Sequence, residues 1–194
     1  NPYYPVALAD YYRANGLDPA GADNMVRMGD VERAGISYSY HSDMPMAPGQ
    51  PLLLMWSGVN RLTYDGNVRG PEQRVSRLGA LKAVTLDAAY SLQMEKDVGS
   101  IVSGKLANFT ILADNPVTVA PLKIKDIAVW GTVQEGRVLP AQRGGSPRAS
   151  AGAAQAVAST NAQIDEGDML TSIVSARLVE LLAHRDDEAI GHAH

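Results

Sequence analysis

Three consecutive residues, His41, Ser42 and Asp43, set an imidazole, a hydroxyl and a carboxylate side by side where a run of strand-forming residues breaks. Ile36, Tyr38 and Tyr40 favour extended backbone, and Pro45 and Pro48 end it at once. A strand that delivers an acid to its own carboxyl end matches the way α/β folds gather ligands and catalytic groups, because the turns there vary while the sheet stays rigid. Asp43 is therefore the first catalytic candidate. His41, two residues earlier, faces the same side of an extended strand and could assist the acid. The tripeptide also reads as plain turn chemistry, since Ser and Asp side chains bond nearby backbone and favour turns before proline. Arg61 could grip a substrate carboxylate with two parallel bonds, or cap main-chain carbonyls. Met44 and Met46 could line a pocket mouth beside Asp43.

The elements that position these residues follow from pattern and punctuation. A first helix spans residues 1–14, with Asn15 and Gly16 as stop and an apolar face of Tyr4, Leu8, Tyr11 and Tyr12. A second covers residues 24–33, closed by Gly35. After the Asp43 strand, a buried helix over residues 50–62 enters from Pro51 and carries Leu53, Met55, Trp56, Val59 and Leu62. Ser76 caps a third, running to about Leu92. The character then changes to strands: residues 99–105 as a glycine-bracketed strand and turn, residues 109–112, and a hairpin of residues 127–133 and 137–139 turning at Gly136. Lys105 reads as a turn residue, because the spacing of its glycines does not fit a phosphate loop. Trp56 and Trp130 read as core or interface residues.

Beyond Pro140 the composition collapses to Ala, Gly, Ser, Gln and Arg, which makes residues 141–164 a flexible linker. Residues 165–194 then form an amphipathic helix and tail, with Met169, Leu170, Ile173, Val174, Leu178, Leu181 and Leu182 on one stripe. His192 and His194 read as a solvated tail. At 194 residues and 45% hydrophobic, the chain can bury a sizeable core. A formal net charge of -4 with signs interspersed excludes a phosphate-binding stripe, so nucleic acid is not an expected partner. No apolar run approaches the ~20 residues of a membrane span. The absence of cysteine removes disulfides, thiolate nucleophiles and Cys-ligated zinc.

His41, Ser42 and Asp43, the stretch from Ala80 to Ala89, the stretch from Gly99 to Ala107 and the hairpin residues Val133, Glu135, Gly136, Arg137 and Val138 follow one another in an order that resembles the carboxyl-terminal portion of a metal-dependent amidohydrolase. The similarity is to the amidohydrolase-3 branch and covers about residues 1–140. It implies an α/β fold: the end of a (β/α)8 barrel over residues 1–96, with Asp43 closing the eighth strand, then the trailing part of a small β-sandwich over residues 97–140. It also implies one or two divalent metals, with zinc expected, that activate water against an amide carbonyl. Asp43 matches the family's acid, at once metal ligand and general base. The family's other ligands come from earlier strands, and one carboxylate with one imidazole falls short of three protein ligands.

The resemblance thus implies a fragment of a hydrolase for carbon-nitrogen bonds other than peptides, acting on a small amide-type substrate and inactive alone. The competing expectation is a non-catalytic binding or assembly module on the same scaffold. Exposed barrel edges and the tethered helix make self-association or a helix-mediated partner the expected contacts. Asn108 stands where the family usually has an aspartate, which puts a local ion pair in question.

Overall fold

The computed structural model describes residues 1–16 and 18–141. All of the amphipathic helix and all but the first residue of the linker expected from the sequence lie outside the described residues. Six helices come first: α1 (Tyr4–Asn15), α2 (Pro19–Asp23), α3 (Met28–Arg33), α4 (Pro51–Asn60), α5 (Arg77–Ala83) and α6 (Leu86–Ser91). They precede a three-stranded antiparallel sheet of β1 (Phe109–Leu112), β2 (Val129–Gln134) and β3 (Arg137–Pro140), in that spatial order. Helices with a small sheet are consistent with an α/β class. Among the described residues no helix is long and apolar enough to cross a membrane.

The core is organised on α4. Pro51 stands in its first turn, where its missing N–H costs nothing. Every residue from Leu54 to Asn60 is buried, so this helix has no solvent face over its second half. Around it pack Tyr3, Val6, Met28, Tyr40, Val75, Leu81 and Val84. A 3-10 turn at Pro121–Asp126 closes the other side, where Ile124 is fully buried and the Asn60 side-chain amide donates to the Pro121 carbonyl (3.0 Å). The Lys125 ammonium lies 5.7 Å from the centre of the Trp56 ring. Residues that follow the first sheet strand therefore return to the helical core.

Several elements differ from the sequence pattern, each for a local reason. The buried face of α1 is Pro5, Val6 and Ala9, while Tyr11 and Tyr12 point outward: the small residues permit the closer approach. The helix expected over residues 24–33 begins only at Met28, because Val26 sits at φ 53, and the residues just ahead of it form the short α2. The expected helix from Ser76 to Leu92 is two. Ser76 caps α5 by accepting from Gly79 N–H (2.9 Å), but the Thr85 hydroxyl donates to the Leu81 carbonyl (2.7 Å) and the backbone breaks before α6. The strand and turn expected over residues 99–105 are a turn at residues 103–104 among bends and irregular backbone, with no strand.

The hairpin of β2 and β3 turns on Glu135 (φ 47) and Gly136 (φ 80), the doubly positive pair that suits strand twist. Asn108 spends its side-chain oxygen on the Glu135 N–H (2.6 Å), and the Gly136 N–H donates to the Ala107 carbonyl. An amide oxygen accepts there as a carboxylate would. No ion pair is needed to hold that turn.

Candidate functional site

The segment leading to Asp43, residues 36–42, has no regular secondary structure and no strand ladder among the described residues. It is held instead by the helical core. Tyr40 donates its backbone N–H to the Ala83 carbonyl (3.1 Å) and buries its ring against Gly58, whose missing side chain makes the room. Burial pushes the Tyr40 phenol well up, so it stays protonated.

Past Tyr40 the chain comes to the surface. Asp43 adopts φ 53, in the left-handed region that aspartate tolerates better than most residues. The turn closes through Met46 N–H on the Asp43 carbonyl (2.7 Å) and Ala47 N–H on the Ser42 carbonyl (3.2 Å). Its side chain is exposed. The Tyr4 hydroxyl, at the start of α1, donates to Asp43 Oδ2, and that bond to a carboxylate raises the Tyr4 pKa and keeps the phenol a donor. Three residues earlier, ahead of α1, the Asn1 side-chain amide donates to the Ser42 carbonyl (2.8 Å). The turn carrying the acid is thus gripped twice by the first four residues.

His41 is exposed, and no hydrogen bond joins it to Asp43 among the described residues. The alternation argument that put both on one face ends where Asp43 leaves the extended region. His41 instead rims a shallow hollow together with Ser42, Gly49, Pro51 and Leu54. Met44 is 58% exposed beside Asp43 and Met46 is half-buried.

Of the two roles read for Arg61, gripping a substrate carboxylate or capping main-chain carbonyls, it fills the second. It is fully buried at the left-handed cap of α4 (φ 49) and donates to four carbonyls: Arg69 (2.6 Å), Val26 (3.1 Å), Asp23 (2.9 Å) and Met25 (2.9 Å). Burial lowers its pKa, opposed by the charges of Glu72 and Asp23. A guanidinium with four of its five donors spent on main chain is not available to a ligand. Lys105 is likewise internal in its bonding, donating to the Glu95 carbonyl, the Val98 carbonyl (3.1 Å) and Ser100 Oγ (2.7 Å).

Among the described residues no group of three His, Asp or Glu side chains stands close enough to hold a metal ion. Asp43 fits a ligand position in its chemistry, as an exposed carboxylate with one oxygen bonded to Tyr4 and Oδ1 without a hydrogen-bond partner among the described residues. It supplies one ligand rather than a set. Tyr4 and Asn1 were not legible as site residues: they lie 39 and 41 positions from their partners, and Tyr4 reads in sequence as part of a helical stripe.

The Amidohydrolase family model matches residues 2–140. The N-substituted formamide deformylase of Arthrobacter pascens is 34% identical over 113 residues, covering 58% of this chain and 21% of the relative. "Putative amidohydrolase YtcJ" of Bacillus subtilis (strain 168) is 31% identical over 110 residues, covering 54% and 20%. The matched stretch spans about a fifth of the length of these relatives. No solved structure matches with significance.

Proposed function

This chain belongs to the amidohydrolase family, in its amidohydrolase-3 branch, and from that membership we propose that it contributes the catalytic acid of a metal-dependent hydrolase of carbon-nitrogen bonds in small amide-type molecules. An N-substituted formamide is the first substrate to try, after the name of the Arthrobacter relative. In this reading residues 1–96 are the end of a (β/α)8 barrel, with the ladder partners of residues 36–42 in preceding strands, and residues 97–140 are the trailing part of a sandwich. The remaining metal ligands lie upstream, and the chain is inactive alone.

The observation that carries the proposal is Asp43: an exposed carboxylate on a hydrogen-bonded turn, with one oxygen anchored by Tyr4 and the other without a hydrogen-bond partner among the described residues. Asp43 would serve as one ligand of the ion, zinc being the expected one, which when bound supplies electrophilic polarisation of the amide carbonyl and of the attacking water. The acid's own work is proton transfer. Asp43 takes a proton as water oxygen bonds to the carbonyl carbon, and returns it to the nitrogen as the carbon-nitrogen bond breaks, leaving a carboxylic acid and an amine. His41 lines the neighbouring hollow, and in this reading it would contact substrate rather than the acid.

The test is formate release from N-benzylformamide by the complete polypeptide that carries this chain, with zinc and with a chelator, in the wild type and in Asp43→Asn. Turnover that the chelator removes, and that Asp43→Asn lowers by at least about two powers of ten with an unchanged circular dichroism spectrum, is expected for a general base. Near-normal turnover in Asp43→Asn would refute the role. A complete polypeptide that neither hydrolyses amides nor retains metal would favour the non-catalytic module instead.

A further inference from the structure

Two contacts converge on the Asp43 turn from a single short stretch, and the proposed chemistry uses neither. Asn1 holds the carbonyl of Ser42, and Tyr4 holds Oδ2 of Asp43. The Tyr4 bond lies at the surface, where a hydrogen bond exchanges with water and adds little to stability. Its effect is on orientation. An aspartate on left-handed backbone in a solvated turn has several side-chain rotamers within reach, and a phenol fixed by the first turn of a 12-residue helix selects one of them.

We propose that Tyr4 is a positioning residue: it commits Oδ2 of Asp43 to a hydrogen bond and so presents Oδ1 alone to the ion and the reacting water. This rests on the reading of Asp43 given above. A group that orients a ligand carboxylate acts like other outer partners of metal ligands, whose loss costs about 10- to 100-fold in metal affinity or activity. Tyr4 differs in this from Tyr3, next to it in sequence, whose hydroxyl bonds that of Tyr64 and has no part in the turn. Asn1 acts one step further back, on the main chain, so its loss has the smaller effect.

The experiment compares Tyr4→Phe, Tyr3→Phe and Asp43→Asn in the complete polypeptide, with zinc competition against a chromogenic chelator, N-benzylformamide kinetics and melting temperature as readouts. Tyr4→Phe is expected to weaken zinc binding and lower kcat, each by about 10- to 100-fold, with KM nearly unchanged and a melting temperature no lower than that of Tyr3→Phe. In an Asp43→Asn background the same substitution should leave zinc affinity where it was, because its effect passes through the carboxylate. Wild-type kcat and zinc affinity in Tyr4→Phe, beside an inactive Asp43→Asn, would overturn the positioning role and leave the proposed function standing. Losses in Tyr4→Phe that track its melting temperature, or that persist undiminished in the Asp43→Asn background, would overturn it too. Turnover that survives in Asp43→Asn would remove the proposed function itself.

Discussion

Replacing Arg61 should weaken the fold rather than the chemistry, and the size of the effect can be worked from its partners. Of the four carbonyls it serves, Val26's also accepts the Met28 N–H (2.8 Å) and keeps a partner when the guanidinium is gone. Those of Asp23, Met25 and Arg69 have no other main-chain donor outside the helices. These bonds are part-buried and their acceptor residues half-buried, so water can partly replace the guanidinium; at roughly 1 kcal/mol for each acceptor left unpaired, Arg61→Ala should lose about 3 kcal/mol. A single domain has only about 5–15 kcal/mol to lose.

Glycine at the same position separates two terms. Arg61 adopts φ 49, which disfavours any residue with a Cβ by about 1–2 kcal/mol. Arg61→Gly should therefore be about 1 kcal/mol more stable than Arg61→Ala while both remain below wild type. Urea unfolding of the complete polypeptide, followed by the fluorescence of the buried Trp56, measures both differences. An Arg61→Ala protein within about 1 kcal/mol of wild type would refute the carbonyl web as a support. So would unchanged stability with a raised KM, which would return Arg61 to the substrate-gripping role its sequence position first offered.

Two further outcomes follow from the same kind of accounting. A methyl group on Gly29 would lie 2.5 Å from the Glu72 carbonyl oxygen and 2.7 Å from the Gln73 Cα, both main-chain atoms; overpacking of about 1–3 kcal/mol should outweigh the helical gain of alanine, and a urea midpoint at or above wild type would contradict it. Burial pushes the Asp10 carboxyl up, but bonds from Thr63, Arg69 and Asn67 and the Arg69 charge, 2.6 Å away, outweigh it and hold the pKa below the ordinary carboxylate value. A depressed folded value gives stability that is complete above the unfolded value and is lost as pH falls through the folded one. The stability gap between wild type and Asp10→Asn should thus close in acid, and a gap constant from neutral to acid pH would sink the assignment.

What the sequence discloses here is what local rules govern. The Pro51 entry and apolar run of α4, the Ser76 cap and the glycine of the β2 to β3 turn are each set by neighbours a few positions away, and each stands where the pattern puts it. The division of α5 from α6 escapes such rules, because one threonine hydroxyl competes with the helix ladder and periodicity does not register it. For Arg61 the sequence offers carbonyl capping as one of two roles but not the partners: three of its acceptors lie 35 to 38 residues away, at the end of α2 and in the turn after it, where Val26 takes positive φ. The strand expected before Asp43 fails for a different reason. β-forming residue types favour a strand one residue at a time, but a ladder is a property of two segments, and among the described residues none pairs with residues 36–42. Tyr4 combines both difficulties, a surface residue in an ordinary helical stripe that becomes part of the site only through a partner 39 positions on.

The Lys105 ammonium ties the Glu95 and Val98 carbonyls and the Ser100 hydroxyl to one atom, drawing in the irregular stretch between α6 and β1. A chain without cysteine has no covalent way to staple such a stretch. Here a cation takes that office, and a staple made of charge obeys different chemistry from one made of sulfur. It is indifferent to oxidants and reductants, forms as fast as the side chain can swing, and needs no partnering enzyme. It depends on three hydrogen bonds made by one nitrogen, so acylation of that single amine, which leaves it one N–H, would remove most of the tie.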